Sequence, residues 1–462
     1  MISVLIGAAL GVLGYFVPLI SILSVIFALI YVVLAVKSPE FSFMTTLLIL
    51  PFLPAMDHGG ALLAALVCLT VASFAFKVLL GKRVFHFEQY DLILLLFFIF
   101  ILVSGIFNKG IGSFESAAMM IILAFGYFLS GNILVNRRLA DNAAKMIIFS
   151  SFITALFAIF FFTVHPMMKP EWIDSHFGGI INARMTAFFG NPNIYAVFLI
   201  TPLIFSLTFT LDKTRGAARL YYLLVFLLNS VAMLFTYTRG AWLALVLAVP
   251  AFFIIHGKRT PKLLLLPVLG IPLCAAFLPQ SFTDRFLSIF NVADSSVQSR
   301  LSTWRASLSM FFDNFFTGVG IGEESFREEF AIYSENGLLS GGNHAHNLWL
   351  EIGCEAGIFA LLLFMLLPLV RARHIATYKH YISSVSLNTS ITMTSVTVFA
   401  LLAFGMTDYI WYSSPLYYLF WVVFGMGSAM LRIGKREYDE LIDYRYSGSS
   451  AYKASIDIGV TD

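Results

Sequence analysis

Residues 192–211 read PNIYAVFLITPLIFSLTFTL, twenty residues without a charge. A helix rising about 1.5 Å per residue covers about 30 Å over that length, the thickness of a bilayer's hydrocarbon core. Runs of the same kind recur along the chain, near 4–19, 20–36, 41–56, 61–80, 92–107, 116–135, 146–164, 220–237, 240–256, 263–279, 347–370, 387–410 and 415–431. The first two can join as one tilted helix, and the two prolines of 41–56 suit a re-entrant segment. The expectation is therefore an all-α, polytopic membrane bundle of about 12–14 spans.

Composition points the same way. Of 462 residues 59% are hydrophobic and 12% charged, with mean hydropathy +0.86, where a soluble domain carries roughly a quarter charged residues. No charge appears before Lys37, so the first apolar run is too long and wrongly flanked for a cleaved leader. Cys68, Cys274 and Cys354 lie in separate apolar runs without metal-ligand spacing, which reads as small core residues.

Lysines and arginines gather in every second connection: Lys82 with Arg83, Arg137 with Arg138 and Lys145, Lys213 with Arg215 and Arg219, Lys258 with Arg259 and Lys262, Arg371 with Arg373 and Lys379, and Arg432 with Lys435 and Arg436. The positive-inside rule places these loops and both termini in the cytoplasm. The connections at 108–115, 165–191, 238–239, 280–346 and 411–414 then face outward. Two of them, 165–191 and 280–346, are long enough to be functional and too apolar for disorder. The organisation expected is one transmembrane domain over 1–436, with a large, partly helical external loop before the antepenultimate span, and a polar cytoplasmic tail over 437–462.

The outward segments hold polar residues that their surroundings do not explain. Arg184 precedes the turn GNPN at 190–193, where Asn191 and Asn193 suit a helix cap. Arg239 sits in a hairpin between two apolar helices, and a guanidinium there needs a partner or a water-filled cavity. In SRLSTWRASLSMFFDNFF, from Ser299 to Phe316, the residues Leu301, Trp304, Leu308, Phe311, Phe312 and Phe315 recur at helical spacing, as for a helix on the outer surface. Arg300 and Arg305 are about 140° apart on that helix and do not both face one ligand.

The stretch HAHNLWLEIGCEAG, from His344 to Gly357, opens the helix expected from about Asn347. A positive helix end disfavours imidazolium, so His346, and less sharply His344, stays neutral and able to take a proton. Glu351 and Glu355 share a face of that helix and can orient a histidine, pair with an arginine, or face the bundle interior. Fixed guanidinium groups bind phosphate oxygens and stabilise a departing diphosphate, while a nearby base deprotonates a hydroxyl. The chemistry suggested is transfer of a group from a lipid diphosphate to an alcohol at the outer membrane face. No metal and no cofactor are expected, and no nucleic-acid partner.

The order Arg184…GNPN, TYTRGAW, RLSTWRASLSMFFDNFFTGVGIG, HAHNLWLEIGCEAG resembles the O-antigen ligase and polymerase family of bacterial membrane glycan transferases over roughly residues 180–370. The family's signature is His, then Asn, Ser or Gln, nine residues, Gly, two residues, and Gly, Thr or Tyr. His346, Asn347 and Gly357 fit it, and Ala360 departs from it. The resemblance implies a metal-independent transferase in the bacterial cytoplasmic membrane with undecaprenyl-diphosphate-linked glycan as donor. The acceptor would be a glycan, lipid or cell-wall hydroxyl. It implies His346 as general base, with Arg184, Arg239 and one or both of Arg300 and Arg305 on the diphosphate; His344, Asn347 and Asn193 are further substrate-binding candidates. Polymerase is preferred to ligase. The alternative is a transporter or flippase of lipid-linked oligosaccharides, which would more often show internal repeats and helices broken at the midplane.

Overall fold

The computed structural model describes residues 19–108, 110–164, 183–256, 282, 285, 295–333, 342–378 and 385–447. Among them every regular element is helical. The helices are α1 (Leu19–Lys37), α2 (Pro39–Ile49), α3 (Gly59–Leu79), α4 (Asp91–Phe107), α5 (Gly110–Ile133), α6 (Arg137–Val164), α7 (Pro192–Leu211), α8 (Ala218–Phe235), α9 (Arg239–His256), α10 (Ser295–Asp313), α11 (Glu323–Tyr333), α12 (Leu348–Tyr378), α13 (Val385–Phe404) and α14 (Ser414–Ser447). Eight have the length and hydropathy to cross a membrane, and four shorter apolar helices accompany them. This is the expected helical membrane bundle. The spans expected at 4–19 and 263–279, and most of the loop at 165–191, lie outside the described residues, as does the tail from 448 onward.

Local chemistry fixes the helix ends. Ser38 accepts the Phe41 N–H ahead of Pro39, which starts α2. The segment 41–56 is α2 followed by a tight 3₁₀ turn, Leu50–Ala55, that holds both prolines. Asn191 accepts the N–H groups of Asn193 and Ile194 and starts α7 with Pro192 behind it. The run expected as one span over 387–410 stops at Phe404, because the chain turns at Gly405–Asp408. Conversely α14 continues past Arg436 to Ser447, so no break in helix marks the start of the expected tail.

The core runs between α14 and the helices around it, with Trp421, Tyr417, Tyr418 and Phe420 of α14 buried against Phe97, Tyr127 and Phe364. Gly126 lets α5 lie against Tyr418 and Val422, where a Cβ would crowd the ring. Cys354 is buried, but Cys68 is exposed on the bundle's perimeter rather than in the core, and Cys274 lies outside the described residues.

The helix ends sort into two groups. At one, Arg137 forms a two-pronged ion pair with Glu437, Arg215 pairs with Asp141, and Arg432 donates to the Gly131 carbonyl. At the other, the N-terminus of α5 meets the loop after α10, where Ser113 accepts the Ile321 N–H, and the turns before α7, α9, α12 and α14 converge.

Candidate active site

The turn between α8 and α9 is pinned from both sides. Met185 N–H donates to the Phe235 carbonyl, which docks the chain before α7 onto the end of α8. Tyr237 takes a left-handed φ of 52°, an uncommon conformation for a residue with a side chain. Gly240 then sits so close to Thr407 that a Cβ would collide with its hydroxyl. These constraints bring the 184–193 segment, the start of α9 and the α13–α14 connection together.

Arg184 is held in one orientation. Its Nε donates to the Thr236 carbonyl at 2.8 Å, and its terminal nitrogen donates to Asn193 Oδ1 at 3.0 Å and to Thr238 Oγ1 at 3.3 Å. The amide nitrogen of Asn193 reaches Asp408 Oδ2 at 3.4 Å, so Asn193 links the arginine to the carboxylate and Asn191 alone caps the helix. Arg300, on α10, approaches the same carboxylate at 3.8 Å. Arg184, Arg239, Arg285 and Arg300 line a cavity of about 80 Å³ with Asn193, Thr238, Thr407 and Asp408. That cavity shares Arg239, Gly240, Arg300 and Thr407 with a neighbouring one of about 250 Å³, walled by Leu243, Val297, Leu301 and Trp304.

Asp408 is the hub. Its Oδ1 lies 2.9 Å from His346 Nδ1 and 3.8 Å from His344 Nε2, and it also accepts the Tyr409 N–H. Burial by itself raises this carboxyl, but the hydrogen bond to His346, the nearby His344 ring and the Arg300 charge outweigh it and hold it well below the usual carboxylate range. With Asp408 ionised, His346 donates from Nδ1, which leaves Nε2 as the nitrogen able to accept a proton. Neither histidine lines the arginine cavity directly; they meet it through Asp408.

The histidine turn is itself built. His346 has φ 50°, and its carbonyl accepts the Trp304 indole N–H at 3.4 Å. Glu351 accepts the Ala345 N–H between the two histidines. His344 stacks on Tyr412 with ring centroids 5.0 Å apart. Asn347 spends its side chain on structure, capping α12 through Trp349 and Leu350 and donating to the Met406 carbonyl. Glu355 accepts from the Gly322 N–H and the Tyr409 hydroxyl. Thus Glu351 supports the histidines through backbone, while neither acid forms an ion pair with an arginine among the described residues.

Of the residues singled out from sequence, Arg184, Asn193, Arg239, Arg300, His344 and His346 come together here. Arg305 does not: it is on the exposed side of α10, away from the cavity lining. The apolar stripe expected on α10 divides too, for Phe311 is buried while Leu308 and Phe312 are exposed. Sequence reading missed Asp408 and Arg285. The signal for Asp408 was a lone acid between two apolar runs.

His344, His346 and Asp408 also offer three ligand atoms within 4.8 Å of one another, a spacing open to a metal ion. The donor set fits poorly, because Arg300 already faces the carboxylate and repels a second cation.

The family model Wzy_C, O-antigen ligase, matches residues 224–365. Over those residues the chain is similar to the O-antigen ligase family. The O-antigen ligase match runs from α8 into α12 and takes in Arg239, Arg285, Arg300, His346 and Gly357. Arg184, Asn193 and Asp408 lie outside the matched segment and complete the cluster from the segment leading into α7, the start of α7 and the α13–α14 connection. The comparison with curated proteins gave no match.

Proposed function

We propose that this membrane glycan-assembly enzyme transfers glycan from an undecaprenyl-diphosphate-linked donor to a sugar hydroxyl. The observation that carries the reading is four arginines and a histidine-paired aspartate gathered around one small polar cavity. In the proposed reaction His346 Nε2 removes the acceptor's hydroxyl proton, and the oxygen attacks the anomeric carbon from the face opposite the diphosphate. The bond from carbon to the diphosphate oxygen breaks, and undecaprenyl diphosphate leaves with the electron pair. Arg184, Arg239, Arg285 and Arg300 bind the diphosphate and stabilise the charge it gains. Asp408 holds the histidine in the productive tautomer and stabilises its protonated form.

The apolar walls support a lipid donor. A groove of about 680 Å³ between α7, α8 and α9 is lined by Leu203, Leu207, Met233, Trp242, Leu245 and Phe252, and Trp242 is one helical turn from Arg239. A polyprenyl chain there would leave its diphosphate at the arginines.

Incubating the purified protein with lipid-linked glycan and acceptor, with and without chelator, tests the reading by release of undecaprenyl diphosphate. Release is expected in both conditions, and His346→Ala should reduce it by about 100-fold to 10,000-fold. Near-normal release by that variant removes His346 from the reaction, and loss with chelator would hand the His344, His346 and Asp408 cluster to a metal. The product's size separates addition of one block from building of a polymer.

A further inference from the structure

Arg371 lies at the opposite end of α12 from the histidines, about 34 Å along the helix from Leu348 at ideal rise. That separation matches a bilayer's hydrocarbon thickness, so the guanidinium sits near headgroup depth on the far side. Its residue is only 8% exposed. Among the described residues one of its N–H groups has a hydrogen-bond partner, Ser428 Oγ at 2.6 Å, and the guanidinium lies 5.4 Å from the centre of the Phe424 ring.

No carboxylate among the described residues is within ion-pair distance of it. Asp91 acts on it through space, but its oxygens are taken by the Tyr127 hydroxyl and the Glu88 N–H. A buried guanidinium without an ionic partner is expensive and marks a ligand or an ion path. The surrounding helices nevertheless make room for it: a Cβ on Gly427 of α14 would collide with its terminal nitrogen.

Arg371 also lines a cavity of about 320 Å³ between α9, α12 and α13. The other walls include Ile254, Pro368, Ile375, Val398, Phe399 and Leu402, and Ile254 and Phe399 are exposed on the bundle's perimeter. A cation in the wall of a largely apolar slot that reaches the lipid-facing surface fits an amphiphile with an anionic head. We propose that Arg371 holds the phosphate of an anionic phospholipid whose acyl chain lies in the slot between α9, α12 and α13. This site is separate from the transfer site, and its occupant is resident membrane lipid rather than donor.

The test uses full-length protein in neutral detergent and reads the unfolding temperature against phosphatidylglycerol, phosphatidylcholine or inorganic phosphate. Phosphatidylglycerol should raise it beyond the effect of phosphatidylcholine, since a ligand bound only by the folded state stabilises it. Inorganic phosphate should not. Arg371→Gln should lose the difference between the two lipids. Ala376→Phe, which fills the slot from its rim and keeps the guanidinium, should lose it as well, and carries the test if Arg371→Gln does not fold. Equal shifts from both lipids, or a phosphatidylglycerol-specific shift that survives in Ala376→Phe, would overturn the proposal. A matching shift from inorganic phosphate would replace the lipid with a free anion and overturn it too.

Discussion

A buried carboxyl prefers to be neutral, yet Asp408 is pulled the other way by His344, His346 and Arg300. A carboxyl depressed below its ordinary value of 3.8 contributes stability that is fully present above that value and is lost as pH falls through the lower, folded value. The unfolding temperature of Asp408→Asn should therefore trail the wild type above about pH 5, with the margin shrinking in stronger acid. A margin that stays the same in strong acid would mean that Asp408 is not the fixed anion of the site. The same variant should slow transfer by about 100-fold or more, because an amide no longer stabilises protonated His346. Arg239→Lys makes a companion case: a point charge in place of a planar fork should lower transfer while leaving the protein folded, and full activity would reduce Arg239 to an anchor. Arg184, Arg239, Arg300 and His346 were legible because charge in an apolar chain is conspicuous, whereas Arg285 was not singled out. Asp408 was not, since reading one continuous span over 387–410 hid it inside a helix that in fact ends at Phe404.

Among the elements, α12 carries the most information per residue, because it is broken where the loop after α10 crosses it. Gly357 has φ 78° and ψ −179°, a conformation essentially confined to glycine. The carbonyls of Cys354 and Glu355 accept the N–H groups of Val319 and Gly320, Ser104 adds a hydroxyl to the Glu355 carbonyl, and Ile358 donates to the Phe315 carbonyl. The break is therefore satisfied by protein, as backbone at membrane depth must be. Ordinary Gly→Ala changes stabilise by about 0.4–1 kcal/mol. Gly357→Ala should reverse that sign and cost roughly 1–3 kcal/mol, since its Cβ would collide with the Phe316 carbonyl. Thermal unfolding measures it, and a more stable variant would sink the account. The sequence marks Gly357 through its spacing from His346, but the reason for it, a loop inserted into a helix, depends on a partner some forty residues upstream. Periodicity within one helix carries no such information, which is also why the stripe on α10 was assigned to one face when its residues divide between two.

At the scale of the whole molecule, hydropathy located the helices well because the requirement for uninterrupted apolar length is so strict. Sidedness rests on a subtler count. The end bearing the site holds Arg184, Arg239, Arg285 and Arg300, but these line a cavity, whereas Arg137, Arg215, Arg432 and Arg436 belong to the opposite helix ends and their connections. Ion pairs with Glu437 and Asp141 do not cancel their influence, because the positive-inside bias follows lysine and arginine number rather than net charge. The site should consequently face outward, which is the side on which the proposed reaction would join lipid-linked glycan to its acceptor. Cysteines placed singly at Arg327, on exposed α11 beside the site, and at Glu440, on the far end of α14, read this out once the native cysteines are replaced by serine. A membrane-impermeant maleimide should label Arg327→Cys in spheroplasts and Glu440→Cys only in inverted vesicles. The reverse pattern would turn the arginine cavity toward the cytoplasm, and the transfer chemistry would then have to draw its acceptor from that side.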